Sequence, residues 1–173
     1  PRTPTPPANA FVDSPTEQEC FPLEVRVCAE CGHSQLGHVV NPGVLFHDYA
    51  YVSGTSASFR EHFTKYALAV SARVRLTPGD LVVEIGANDN TLLKCFGNVR
   101  RIGIEPAENL AKAYLTPGIV TLNDFFSKAL ALGIRDGHGP ARLILANNVM
   151  AHIDDLSAVL NGVEAPAMLP SVA

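Results

Sequence analysis

Leu81-Val82-Val83-Glu84-Ile85-Gly86-Ala87-Asn88-Asp89-Asn90-Thr91-Leu92-Leu93 is the stretch from which the rest of the chain can be read. An apolar β-type run meets a carboxylate, a single glycine and a polar turn before apolar residues resume. This order predicts a strand, a tight loop and the start of a helix. In an α/β fold that is the place where a nucleotide-like cofactor binds.

Downstream of this stretch the pattern alternates. Further strands are expected at Arg101–Glu105, Ile119–Leu122 and Arg142–Asn147, and helices near Thr91–Phe96, Glu108–Leu115, Phe125–Leu132 and Asp154–Val163. Parallel neighbours cannot be joined by hairpins, so the alternation predicts a parallel sheet with crossover helices. Upstream, Ser58-Phe59-Arg60-Glu61 has the form of a capping box. Phe59, Phe63, Tyr66, Val70 and Val74 then recur at helical spacing, giving an amphipathic helix over 59–75 that Thr77-Pro78-Gly79-Asp80 ends. Four strands are too few for a complete doubly wound sheet. The last residues, 165–173, break the final helix with prolines and start no further strand.

The first residues are different in kind. Pro1 to Pro7 form a proline-rich, extended tract without an initial methionine, so the chain reads as a piece of something longer, short at both ends. Phe21 to Val27 alternates as a strand and runs into Cys28-Ala29-Glu30-Cys31-Gly32-His33. A strand ending in a Cys-x-x-Cys-Gly turn is the knuckle of a zinc ribbon, in which two thiolates face one tetrahedral ion. Cys28 and Cys31 are the candidate ligands. A closed structural site needs four, and Cys20, His33 and His38 have no convincing spacing to complete it, so ordinary thiols or a redox pair stay open as alternatives. The expected division is a partial zinc-ribbon-like module and connector over 1–55 and a cofactor domain over 56–173. After the turn Asn41-Pro42-Gly43, the connector carries Tyr49 and Tyr51, which share one face if the segment is extended.

Composition narrows the function. The 173 residues are 47% hydrophobic and 17% charged, enough to build a core, and the net charge of −4 offers no basic face for nucleic acid. No apolar run approaches the roughly 20 residues of a membrane span and no signal peptide is recognisable, so a cytoplasmic location is expected.

Cofactor sites in open α/β sheets lie at the carboxyl ends of the strands. Glu84 and Gly86 follow the first strand. Glu105, 19 residues after Gly86, ends the second, where a carboxylate accepts hydrogen bonds from ribose hydroxyls. A dinucleotide loop needs three glycines to admit a pyrophosphate, and here Asn88, Asp89 and Asn90 stand in place of the others. The acidic, polar loop suits S-adenosylmethionine better, with its cationic sulfonium and amino-acid moiety. Asp124 and Phe125, after the third strand, fall where an adenine amino group and ring face are expected, although a surface carboxylate and a core phenylalanine fit the same positions. Asn147 and Asn148 follow the fourth strand with donors and acceptors near the methyl-donor end. His152 is a candidate general base or a structural histidine.

Assembled, these residues resemble the sugar C-methyltransferases, which act on nucleotide-linked deoxyhexoses. The likeness runs from about Thr5 to Val163. It rests on Phe21-Pro22-Leu23 leading to Cys28-x-x-Cys31-Gly32-His33, on Asp48-Tyr49-x-Tyr51-Val52-Ser53-Gly54, on Glu84-Ile85-Gly86-x-Asn88-Asp89, on Gly103-Ile104-Glu105-Pro106 and on Asn147-Asn148-Val149-x-Ala151-His152. The resemblance implies a zinc-binding module, a Rossmann-like S-adenosylmethionine domain and a further domain that helps bind the nucleotide-sugar substrate. It implies that Cys28 and Cys31 are the second of two Cys-x-x-Cys pairs. Glu84, Gly86, Asn88, Asp89, Glu105 and Pro106 match the family's cofactor motifs, and Tyr49, Tyr51 and His152 match active-site positions. The implied chemistry is proton removal beside a keto group, attack of the enolate on the sulfonium methyl, and oxyanion stabilisation by tyrosine hydroxyls. Asn90 stands where a glycine is usual, a departure that bears on loop shape and cofactor affinity. The family's downstream Tyr-His-Glu-His segment has no counterpart. A non-catalytic zinc-and-nucleotide module, or a methyltransferase acting on oxygen or nitrogen, are the competing readings.

Overall fold

The structure, a computed structural model, describes residues 2–164. The tract 165–173, expected to break the last helix, lies outside the described residues. The chain divides into two compact units, Pro1–Ala50 and Tyr51–Ala173.

In the first unit, β1 (Arg2–Thr5) pairs antiparallel with β2 (Phe21–Leu23), and β3 (Val25–Val27) pairs antiparallel with β4 (Ser34–Leu36). The single strand expected over Phe21 to Val27 is therefore two, which part at Glu24 and join different ribbons. The proline tract is extended, as its composition predicts, and β1 gives it a partner. A short helix α1 (Pro42–Phe46) starts where Asn41 Oδ1 accepts the N–H of Gly43, with Pro42 at its first turn. None of residues 3–50 is buried, and Val25, Val27 and Leu36 are among the exposed apolar side chains. Two-stranded ribbons without a core are marginal by themselves in water.

The second unit begins with α2 (Ala57–Val74). Its cap is Ser56, whose hydroxyl accepts the N–H of Phe59, and not Ser58 as the capping box suggests. Ser58 lies one residue inside the helix and bonds the Ser56 hydroxyl, while Glu61 pairs with Lys65 one turn on. Next come β5 (Leu81–Ile85), β6 (Arg100–Ile104), α3 (Glu108–Ala113), β7 (Val120–Leu122), α4 (Lys128–His138), β8 (Leu143–Leu145) and α5 (Leu156–Glu164). The four strands make one parallel sheet in the order β7-β6-β5-β8, a Rossmann-like arrangement.

Burial explains the sequence of the central strand. All five residues of β5 are buried, and their alternation feeds two cores. Val82 joins Phe63 and Ala67 of α2 with Leu92, Leu93 and Phe96. Leu81 and Val83 join Ile102 and Ile104 of β6 with Ala131 and Ile134 of α4. Two covered faces are what a parallel sheet requires.

One expected helix is absent. Thr91–Phe96 contains only a 3-10 turn, Leu93–Cys95. Asn88 and Asn90 hold left-handed backbone at φ 52° and 61°, and Asn98 does so again at 53°, which leaves too little right-handed chain for a helix. The short turn still buries Leu92, Leu93 and Phe96. The remaining boundaries shift modestly; α4 is capped by Ser127, whose hydroxyl accepts the N–H of Leu130, and runs six residues past the expected end at Leu132.

Candidate functional site

Strand β5 lies between β6, which follows it in the chain, and β8, which is reached from β7 by crossing back, so the strand order reverses beside β5 and a crevice opens at the carboxyl ends. Gly86 begins the loop there at φ +70°, and a Cβ on it would meet Val149 Cγ2 at 2.5 Å. The glycine is thus needed twice, for its backbone and for the approach of the segment that follows β8. That segment includes Asn147 and the 3-10 turn Met150–His152.

Glu84 is buried, and its Oε2 has no hydrogen-bond partner among the described residues. Burial pushes its carboxyl well above the usual carboxylate range, and the negative charges of Asp89 and Glu105 push in the same direction. Asn147, two residues beyond the Leu145 that pairs with Glu84, has an Nδ2 that is likewise buried and unpartnered. An orphaned acceptor and an orphaned donor on neighbouring strand ends leave this crevice short of polar partners.

Glu105 is also buried, yet both of its oxygens are engaged. Oε2 accepts the N–H of Asn88 at 2.6 Å and Oε1 that of Ala107 at 2.8 Å. Burial raises its pKa, and the two amide donors oppose the rise. Each oxygen keeps a second lone pair for a ligand hydroxyl. Pro106 is half-buried behind it, and Asn123 Nδ2 ties the carbonyls of Glu105 and Pro106 at 2.9 and 3.0 Å. Sequence reasoning missed Asn123, although an asparagine directly after a strand was a usable signal.

Asn88 and Asp89 direct their side chains to the segment that opens the second unit. Asn88 Oδ1 accepts the N–H of Ser53 at 2.9 Å and Nδ2 donates to the carbonyl of Tyr51 at 3.0 Å. Asp89 Oδ2 accepts the N–H of Gly54 at 3.0 Å and the hydroxyl of Thr91 at 2.7 Å. Asn90 takes the left-handed conformation that a glycine would supply, so the loop keeps its shape with asparagine there. Its Nδ2 donates to the carbonyl of Tyr114 at 3.2 Å and to Thr121 Oγ1 at 3.1 Å.

The outer residues are more open. Asp124 is exposed and its Oδ1 accepts the N–H of Phe125, whose ring is 43% exposed. The phenylalanine that packs on the core is its neighbour Phe126. His152 is exposed at the end of its turn, and Asn148 is left-handed at φ 55°. Tyr51 is 48% exposed in the second unit. Tyr49 belongs to the first unit, where it is half-buried and tilted against Phe46 at 5.8 Å between ring centres. A cleft of about 490 Å³ lined by Arg60, Thr64, Asp89, Lys94 and Cys95 includes none of Glu84, Glu105 and Asn147, and its two cations already donate to the carbonyls of Gly54 and Asp89.

In the first unit Cys28 and Cys31 are both exposed on the turn that joins β3 to β4. Gly32 at φ +73° closes the turn, its N–H reaching the Cys28 carbonyl at 3.0 Å while Cys28 N–H reaches the His33 carbonyl at 2.9 Å. The backbone amides of Cys31 and then Glu30, with the Cys31 thiol, hold the Cys28 thiol below its usual pKa. Amides converging on a sulfur favour the thiolate that binds metal. No group of three or more His, Cys, Asp or Glu positioned for a metal ion occurs among the described residues.

Residues 3–46 match the family model of a zinc binding domain. Over 147 residues the chain is 40% identical to the C-methyltransferase NovU of Streptomyces niveus. Over most of its length the chain is therefore similar to a C-methyltransferase. The match covers 84% of this chain and 35% of NovU, so the chain spans about a third of the length of that relative. The zinc-binding match contains the Cys28 knuckle, and the Rossmann-like sheet follows it in sequence. No helix among the described residues is long and apolar enough to cross a membrane.

Proposed function

We propose that this chain carries the cofactor site of an S-adenosylmethionine-dependent enzyme that C-methylates a nucleotide-activated keto-deoxysugar in the cytoplasm. The observation that carries the proposal is the pair of buried carboxylates at the switch point, Glu84 with an unpartnered Oε2 and Glu105 with amide donors on each oxygen. The Glu105 carboxylate and the Glu84 carboxyl behind a single-glycine loop disfavour a pyrophosphate and suit a ligand bearing a ribose diol and an ammonium, whose positive charge favours the ionised form of Glu84.

S-adenosylmethionine supplies an electrophilic methyl group when bound. Glu84 accepts the ligand ammonium on its orphaned oxygen, Glu105 accepts the ribose hydroxyls, and Asn147 donates from Nδ2. Gly86 permits close approach, and the ring of Phe125 offers an apolar face beside Asp124. Tyr51 and His152 are assigned to the sugar end: the Tyr51 hydroxyl stabilises the enolate oxygen, and His152 orients or relays the proton, while Tyr49 is the catalytic candidate of the first unit. Cys28 and Cys31 supply two thiolate ligands to zinc, which fits a module with no buried residue among those described.

The test is product analysis. The full-length protein, given methyl-labelled S-adenosylmethionine and a nucleotide-linked keto-deoxyhexose, is expected to yield a labelled carbon-bound methyl by NMR. Label on oxygen or nitrogen, or none, would overturn the proposal.

A further inference from the structure

We infer that Asn88 is a positioning residue that couples the occupancy of Glu105 to the backbone of the Tyr51–Gly54 segment. The inference rests on the reading of Glu105 as a cofactor carboxylate and adds to it a route by which the cofactor governs a second part of the site.

Asn88 faces two ways. Its left-handed backbone, φ 52°, sends its N–H to Glu105 Oε2 at 2.6 Å. Its side-chain amide leaves in a different direction and uses both ends, Oδ1 on the Ser53 N–H at 2.9 Å and Nδ2 on the Tyr51 carbonyl at 3.0 Å. This amide grips the segment as a neighbouring strand would, with one donor and one acceptor. Asp89 adds a third bond, to the N–H of Gly54 at 3.0 Å.

The segment is built for this approach. A Cβ on Gly54 would land on the Asp89 carboxylate and on Thr91 Oγ1, so only glycine lets the backbone come this close. Arg60 closes the far end by donating to the Gly54 carbonyl at 2.5 Å. Tyr51 itself remains 48% exposed, so its backbone is fixed while its ring stays accessible.

The coupling follows from the shared residue. A ligand diol on the free lone pairs of Glu105 orders the carboxylate. The ordered carboxylate fixes the Asn88 N–H, and with it the orientation of the amide that holds Tyr51 and Ser53. The segment therefore tightens when the cofactor site fills, which positions Tyr51 without its touching the cofactor's ribose.

The test uses amide hydrogen exchange at Ser53 by NMR, with and without S-adenosylhomocysteine, in the wild-type chain and in Asn88→Gly. Glycine keeps the left-handed backbone and its N–H and removes only the side-chain grip. In the wild type the ligand is expected to slow Ser53 exchange roughly tenfold, the scale of one strengthened hydrogen bond. In Asn88→Gly that slowing is expected to vanish. Asn88→Asp keeps an acceptor for Ser53 and loses the donor to Tyr51, and it is expected to retain the slowing at Ser53. Slowing that persists in Asn88→Gly, or a wild-type Ser53 indifferent to ligand whose binding calorimetry records, would overturn the inference. Calorimetry that records no binding to the wild type overturns the cofactor reading itself, a separate result.

Discussion

The backbone N–H of Asn88 donates to Glu105 Oε2 at 2.6 Å, joining the loop after β5 to the carboxylate that directly follows β6. Hydrogen bonds to a charged acceptor contribute about 1.5–3 kcal/mol each. Glu105→Gln removes that charge and turns one oxygen into a donor facing an amide donor. Affinity for S-adenosylhomocysteine is expected to fall about 10- to 100-fold, measured by calorimetry. Unchanged affinity would contradict the role of Glu105.

Glu84 carries a pH signature. Its folded carboxyl titrates well above the ordinary value of 4.5, so the native state keeps a proton that the unfolded chain releases. Stability therefore falls as pH climbs above the ordinary value toward the raised one. Glu84→Gln removes this contribution, and its thermal midpoint is expected to decline less than that of the wild type between pH 5 and pH 8. Parallel declines in the two proteins would count against a buried, proton-retaining Glu84. The affinity for S-adenosylhomocysteine, by contrast, is expected to rise with pH in the wild type, because the ammonium is received by the ionised carboxylate.

Gly103 and Asn90 are mutually dependent. A Cβ on Gly103 would lie 2.6 Å from Asn90 Oδ1 and 2.8 Å from the Ala87 Cβ. Overpacking of this kind costs about 1–3 kcal/mol. Gly103→Ala is expected to lower the urea midpoint accordingly, and Asn90→Gly, which keeps the left-handed backbone, is expected to relieve part of that loss in the double variant. Strict additivity of the two changes would show that they do not compete for the same space.

Much of the second unit was legible because burial imposes period. The apolar run Leu81–Ile85 became the central strand with the expected bounds, and its two-sided burial is what made it conspicuous. The missing helix after Asp89 was not legible, because it depends on Asn88 and Asn90 holding left-handed backbone, which asparagine allows but does not announce. The grip of Asn88 and Asp89 on Tyr51–Gly54 spans 35 to 37 residues and leaves no periodic trace. Asn88 and Asp89 looked like ligand contacts, and in the structure their side chains also hydrogen-bond the chain itself. At α2 two serines competed for one cap, and spacing alone favoured the wrong one.

The knuckle gives a chemical prediction. Amide donors hold the Cys28 thiol below its usual pKa, so in metal-free protein its alkylation by iodoacetamide is expected to persist to lower pH than that of an ordinary thiol. Zinc added beforehand is expected to protect Cys28 and Cys31 together. Mass spectrometry of the alkylated peptides reads both effects, and protection of neither cysteine would remove them from the metal site.

The central claim is that the crevice beside β5 accepts an amino-acid-bearing adenosine ligand and not a dinucleotide. Isothermal titration of the chain with S-adenosylhomocysteine and, separately, with NAD tests it most directly. The account predicts saturable binding of S-adenosylhomocysteine that Glu84→Gln and Glu105→Gln each weaken, and no binding of NAD. Saturable binding of NAD with none of S-adenosylhomocysteine would contradict it.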